Sequence, residues 1–226
     1  MIAVSERRVE DPRLWVSPWL FPGLWTAQGG LATSGTLTQW LRGLLLPGVD
    51  RSEAFEALAR EAEASPPGAR GIVMLPYFSG ERTPIHDPAA RGVIFGLDLT
   101  HGRGDLMRAA LEGIAAATRH IVETLREAGA PPLRVMAVGG GTRNAVWLQA
   151  TSDMTGLDQA LPRVATGAAF GDAFLAALAA GHASEGDIER WNPRAGVARA
   201  RLVPEYERHW TVFRALYEST RDLMRL

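Results

Sequence analysis

The stretch Val138-Gly139-Gly140-Gly141-Thr142-Arg143-Asn144 decides the fold. It follows the apolar run 133–138, which predicts a buried strand. It precedes a helical pattern that runs to residue 155 and stops at a glycine. Three glycines therefore stand where a strand turns into a helix. Glycine permits close approach of backbone and ligand, and a helix N-terminus presents free N–H groups to polar or anionic ligands. We expect a nucleotide to bind at this turn.

The glycine pattern has a second interpretation. A dinucleotide-binding fingerprint requires glycine or alanine where Asn144 stands, so the Rossmann pattern fails. The three glycines would also be needed if the strand and helix only packed tightly against each other. The local pattern does not separate a ligand site from such a packing turn.

Composition restricts the class of protein. The 226 residues are enough for one large domain or two small ones, and 46% hydrophobic residues indicate a globular chain. A net charge of -1 gives no indication of a nucleic-acid or membrane partner, and no apolar run reaches membrane-spanning length. The absence of cysteine excludes disulfides and fits a cytoplasmic setting. All 24 basic residues are arginine, which excludes the lysine of a Walker A motif.

The periodicity predicts alternating strands and helices. Residues 1–27, rich in proline and tryptophan, predict an irregular N-terminal segment, although Ile2 and Val4 fit a strand. Further along, the pattern predicts strands at 71–76 and 93–97, and helices near 37–44, 51–64, 105–127, 165–180 and from 205 onward. Arg108 and Glu112 are expected on the outer face of the long helix, where such a pair gives small surface support. The alternation predicts a single α/β domain over residues 1–226.

Four segments together resemble the C-terminal domain of the FGGY carbohydrate kinases, two-domain sugar kinases of the actin/hexokinase/Hsp70 superfamily. They are the loop 75–84 with its continuation 87–92, the run 92–112, the glycine stretch 138–144, and Gly167-Ala168-Ala169 with Ala173. The resemblance implies the α/β fold of an actin-like ATPase (ribonuclease H-like) C-terminal domain, with a mixed sheet flanked by helices. The small residues of 165–180 are expected to approach a sheet or another helix closely.

The resemblance also implies which residues contact adenosine. Gly140 and Asn144 match the glycine and asparagine that meet the adenine, and Gly35 and Gln39 match the pair that completes the purine pocket. The expected nucleotide-binding set is Gly35, Gln39, Gly139, Gly140, Gly141 and Asn144. Helix-end capping is the alternative for Gln39 and Asn144. We expect no protein metal site and no catalytic residue in this chain, with Mg²⁺ arriving together with ATP.

The phosphate-binding Asp-x-Gly-Thr turn and the general base of the family belong to its N-terminal domain, and this sequence contains no such turn. We therefore expect a gene fragment, a misassigned start or one half of a split gene, with the N-terminal kinase domain as the missing partner. The expected parent activity is ATP-dependent phosphorylation of a sugar hydroxyl, with a ketopentose such as xylulose or ribulose as acceptor. The alternative is a non-catalytic remnant or a nucleotide-binding regulatory module. The sequence leaves open whether the chain forms a homodimer.

Several polar residues near these motifs have structural interpretations. His101 and Asp105 are predicted to support the start of the long helix, with Asp105 facing the helix dipole. Glu81 and Arg82 are predicted to form an ion pair, although they would also serve to order the cleft loop. Asp172, which interrupts an apolar helix, is predicted to be buried and paired.

Overall fold

The computed structural model describes residues 1–165 and 167–225. These residues form eight strands and seven α-helices. The strands are β1 (Ile2–Ser5), β2 (Trp15–Pro18), β3 (Trp25–Gln28), β4 (Val73–Leu75), β5 (Val93–Phe95), β6 (Val135–Met136), β7 (Gln159–Pro162) and β8 (Arg194–Ala198). The helices are α1 (Gly35–Leu45), α2 (Arg51–Ala64), α3 (Arg103–Glu127), α4 (Ala145–Thr155), α5 (Ala168–Ala179), α6 (Ile188–Trp191) and α7 (Pro204–Thr220). The predicted α/β class is confirmed.

The strands form three small sheets in the described residues. The first is antiparallel with order β1-β3-β2, the second pairs β4 with β5, and the third has order β6-β7-β8. Only the third is mixed, because β6 runs parallel to β7 while β8 runs antiparallel to it. The expected mixed sheet is therefore a three-stranded one, accompanied by two antiparallel sheets.

The prediction of an irregular segment over residues 1–27 is wrong, because this segment forms most of the first sheet. Cross-strand hydrogen bonds hold it: the hydroxyls of Ser17 and Thr26 are 2.9 Å apart, and the Gln28 side-chain amide donates to Ser17 Oγ at 3.3 Å. Pairing between strands depends on residues distant in sequence and on both faces of the sheet, so local periodicity does not reveal it.

The prediction of a buried strand over 133–138 is also wrong in part. The strand is limited to Val135–Met136, and Leu133 is 94% exposed. The reason is its position: β6 is an edge strand that pairs only with β7. An edge strand has a paired neighbour on one side alone, and little packs over this one, since Met136 is 44% and Val138 55% exposed.

Helix α3 is the centre of the molecule. Helices α1, α2, α4 and α7 and strand β4 all pack against it. The approach of β4 is so close that a Cβ on Gly113 would lie 2.3 Å from the carbonyl oxygen of Met74, so only glycine fits there. Because neighbours cover α3 on several sides, its polar residues are enclosed as well.

This enclosure makes the prediction of a surface pair at Arg108 and Glu112 wrong. Glu112 is 0% exposed, and its Oε1 accepts from Arg108 Nε at 2.7 Å, Tyr206 Oη at 3.0 Å and the Gly68 amide at 3.1 Å. Arg108 also donates to the Ser65 carbonyl at 2.6 Å. The network joins α3 to α7 and to the end of α2 in the core.

Two predictions for the last third of the chain have opposite outcomes. The aromatic stripe of α7 packs into the core through Phe213, as expected. Helix α5, expected to pack closely, buries only Phe174 within its described residues, and this ring meets Trp191 edge-on at 5.3 Å. Asp172 is consequently exposed rather than buried.

Candidate functional site

The predicted nucleotide site consists of a glycine turn and the helix that follows it. Residues Gly140–Arg143 form one 3₁₀ turn between β6 and α4. The Thr142 hydroxyl donates to the Gly139 carbonyl at 2.7 Å, and the backbone N–H of Asn144 donates to the Gly141 carbonyl at 3.1 Å. The turn is therefore held by its own hydrogen bonds and delivers the chain into α4.

The three glycines of the turn have different reasons to be glycine. Gly139 has φ +92°, a conformation that side-chain-bearing residues rarely adopt. A Cβ on Gly141 would lie 3.1 Å from the Trp147 ring, so this glycine allows close packing. Gly140 has no such constraint, because a Cβ there would meet nothing within 4 Å. Backbone conformation explains Gly139 and packing explains Gly141, whereas neither explains Gly140, whose surface is open to a ligand.

Asn144 has the capping role that the sequence left as its alternative. Its Oδ1 accepts from the Trp147 amide at 2.9 Å, so Asn144 is the N-cap of α4. Capping uses only the oxygen of the carboxamide. A ligand contact through its nitrogen stays a prediction.

Gly35 and Gln39 lie on α1, and Gly35 is its first residue. A Cβ on Gly35 would meet nothing within 4 Å, and the side chain of Gln39 is exposed. The preceding Ser34 makes no side-chain capping bond to the helix. Both residues are thus accessible, as a ligand contact requires.

Helix α1 and the helix that follows the glycine turn pack against the same part of the core. Leu37 and Leu41 of α1 belong to the same core cluster against which Val146 and Trp147 of α4 pack. The start of α4 and the inner face of α1 therefore border one part of the molecule, next to α3. Assignment of the six predicted residues to nucleotide binding stays a prediction.

Glu81 orders the loop 77–91 through backbone partners that the sequence does not reveal. Oε1 of Glu81 accepts from the Ala32 amide at 2.9 Å and from the Arg82 amide at 2.6 Å. The prediction of an ion pair between the Glu81 and Arg82 side chains is wrong for the described residues. The alternative, in which Glu81 orders the loop, is correct. Burial raises the pKa of Glu81 to about 7, although the two amides and the charge of Arg82 oppose the shift.

His101 and Asp105 have the predicted structural roles at the start of α3. The Asp98 amide donates to His101 Nδ1 at 3.0 Å. Asp105 accepts from the Gly102 amide at 2.9 Å and from the Ser65 hydroxyl at 2.6 Å. Burial by itself would raise the pKa of Asp105, but these hydrogen bonds outweigh it and hold the pKa below its usual value.

A separate concave region lies between the loop 77–91 and α7. A cavity of about 670 Å³ is lined by Asp87, Tyr217, Arg221 and their neighbours, and one of about 190 Å³ adjoins it through Ile85 and Tyr217. Tyr217 donates to Asp87 at 2.8 Å across the larger cavity. Neither cavity is lined by the six predicted nucleotide residues.

Residues 1–165 and 167–225 contain no group of three or more His, Asp or Glu side chains arranged to hold a metal ion. No helix in this part of the chain is both long and apolar enough to cross a membrane.

Comparison with known proteins assigns the chain to a family. Residues 9–180 match the model of the FGGY family of carbohydrate kinases, C-terminal domain. The chain is 33% identical over 199 residues to the xylulose kinase of Bacillus subtilis (strain 168), a match that covers 86% of this chain and 39% of that protein. The chain therefore belongs to the FGGY family of carbohydrate kinases, which are phosphotransferases.

Solved structures agree with the assignment. The crystal structure of xylulose kinase from Rhodospirillum rubrum matches with a TM-score of 0.88 and 34% identity, covering 100% of this chain and 46% of that one. Plasmodium falciparum glycerol kinase with ADP has the same fold, with a TM-score of 0.79 at 22% identity, over 96% of this chain and 44% of that one. The predicted actin-like ATPase fold is confirmed. The chain spans less than half the length of these relatives.

Proposed function

We propose that this chain supplies the adenosine-binding side of an ATP-dependent carbohydrate kinase, with the glycine turn as its centre. The observation that carries the proposal is the open surface of Gly140, the one glycine of the turn for which packing and backbone conformation give no reason. A flat backbone surface lets a purine ring lie against it, and a nearby carboxamide can recognise the purine edge. Asn144 and Gln39 are the carboxamides that we assign to this role.

The whole protein would transfer the terminal phosphoryl group of ATP to a hydroxyl of a small polyol. Xylulose kinases are among its relatives at 33–34% identity, which supports a ketopentose such as xylulose or ribulose. Glycerol kinases match as well, one of them with 39% identity over 156 residues, so glycerol belongs in any substrate panel. Mg²⁺ would arrive bound to ATP, as in other phosphoryl-transfer sites.

A partner domain would supply the general base and the phosphate-binding Asp-x-Gly-Thr turn, and no such turn occurs in this sequence. Closure of the two domains around the substrates would then assemble the reaction site. In this arrangement, residues 1–226 orient the nucleotide and form one wall of the cleft.

The substitution Gly140→Ala tests the nucleotide site directly. It should leave folding intact, because the added methyl group meets no atom within 4 Å. It should weaken ADP binding about tenfold, equivalent to about 1.4 kcal/mol, because the methyl group occupies the surface proposed for the purine. Binding to the isolated chain, expected near the millimolar range, can be followed by ligand-observed NMR.

Gly186→Ala is the matched control. Gly186 also lies in a 3₁₀ turn, and a Cβ there also meets nothing within 4 Å. ADP affinity should equal that of the wild type in this variant. Equal ADP affinity in Gly140→Ala and Gly186→Ala would reject the glycine turn as the nucleotide site.

A further inference from the structure

Glu81 joins two parts of the chain that are 49 residues apart. It is only 4% exposed, and one of its oxygens accepts the amide of Ala32 from the segment that leads into α1. A second bond between the same two segments runs from the Thr83 amide to the Gly30 carbonyl at 3.2 Å. The loop 77–91 and the segment 29–34 are therefore tied side by side.

The segment 29–34 has little freedom on its other side. A Cβ on Gly29 would lie 2.4 Å from Cγ2 of Ile121, so this residue is pressed against α3. The segment is thus held between α3 and the bonds from the loop 77–91. It ends at Ser34, whose side chain does not cap α1. The position of Gly35 consequently depends on the segment and on the Glu81 bond that fixes it.

The two oxygens of the Glu81 carboxyl differ in their hydrogen bonding. Oε2 of Glu81 is buried without a hydrogen-bond partner among the described residues, and the same holds for the hydroxyls of Thr33 and Thr83 in the two joined segments. A buried ionised carboxylate with an unpaired oxygen is costly. The neutral carboxyl avoids that cost. The ionisable groups that face it are Arg82 and the phenol of Tyr77.

We propose that Glu81 is a positioning residue for the nucleotide: it holds the segment 29–34 so that Gly35 and Gln39 are presented to the purine. This inference rests on the proposed nucleotide site and adds a residue that does not touch the ligand. Loss of the carboxyl releases Ala32 and lets the start of α1 move. Ionisation favours the same release, because the cost of burying the charge exceeds what the two amide bonds return to the carboxylate.

The first test compares Glu81→Ala and Glu81→Gln with the wild type. Amide hydrogen exchange in the region 29–39 should rise at least tenfold in Glu81→Ala, and affinity for adenosine should fall at least fivefold. Glu81→Gln keeps an oxygen acceptor for Ala32 and should stay close to the wild type in both measurements. Glu63→Ala, at an exposed glutamate of α2, is the control and should change neither.

The second test uses pH and does not depend on the folding of Glu81→Ala. Adenosine is the probe because it carries no phosphate that titrates in this range. Wild-type affinity for adenosine should fall as the pH rises from about 4.5, the ordinary pKa of glutamate, to about 7, the pKa of the buried carboxyl, and should level off above it. Glu81→Gln should have a flat profile over this range.

The outcomes separate the inference from the proposed function. If the wild type binds neither ADP nor adenosine, the nucleotide site is rejected and the positioning role falls with it. If the wild type binds adenosine, but a folded Glu81→Ala binds equally well, only the positioning role is overturned. The same conclusion follows if Glu81→Gln retains the pH dependence of the wild type.

Discussion

Glu112 and Glu56 each lie four residues from an arginine on a helix, yet their surroundings differ. Glu112 pairs with Arg108 inside the core, where it also accepts from Tyr206. Glu56 lies 4.0 Å from Arg60 on α2, and the two side chains are 73% and 72% exposed. Water screens the second pair and not the first. The same sequence spacing therefore produces contacts of different energetic weight.

Glu112→Ala should destabilise the chain by about 3–5 kcal/mol, because it leaves the buried guanidinium of Arg108 without its carboxylate. Glu56→Ala should cost less than about 1 kcal/mol, as exposed pairs do. Urea unfolding of both variants and the wild type measures the two free energies. A similar small loss in both variants would contradict the enclosed network that the structure shows around Glu112.

At the scale of elements, the sequence predicts helices better than strands, for a physical reason. The apolar period of α2 and the stop at Gly156 after α4 are local signals, and both helices lie where they were expected. The sequence predicts neither β7 nor β8, and it predicts an irregular segment where the first sheet lies, because pairing depends on distant partners. The glycine turn is predictable from local sequence, because its three glycines follow one another directly before a helix. For Glu81 the sequence offers loop ordering only as the alternative to an ion pair, because its partner Ala32 lies 49 residues away.

The cap of α4 gives a test that separates stability from recognition. Asn144→Ala removes the bond to the Trp147 amide and should cost about 1 kcal/mol of unfolding free energy. Asn144→Ser keeps a capping oxygen and should retain most of that stability. If the carboxamide also contacts the purine, both variants should lose ADP affinity about equally.

These variants need two measurements, urea unfolding and ADP binding by ligand-observed NMR. Wild-type affinity in Asn144→Ser would show that Asn144 serves the helix alone. In that case the purine contacts would have to come from α1 and the backbone of the turn.

At the scale of the whole molecule, the chain corresponds to part of a larger architecture. It covers 39% of the Bacillus subtilis xylulose kinase and 46% of the Rhodospirillum rubrum structure. Helix α3 contributes residues to all three clusters of buried residues and so links them. What the chain contributes by our proposal is nucleotide orientation. The same proposal leaves phosphate binding and proton removal to a partner domain, and no Asp-x-Gly-Thr turn occurs in this sequence.

We predict that residues 1–226 alone produce no sugar-dependent ADP. Phosphoryl transfer depends almost wholly on positioning and charge stabilisation. General-base catalysis is worth about 10²–10⁴-fold and each positioned charge donor about 10²–10³-fold. Without an Asp-x-Gly-Thr turn and a base, the rate should not exceed the blank. A coupled ADP assay with xylulose, ribulose and glycerol measures it, with ADP binding on the same sample as the control for folding. Turnover above the blank with any acceptor would mean that this chain carries catalytic groups of its own, and the assignment of catalysis to a partner domain would be wrong.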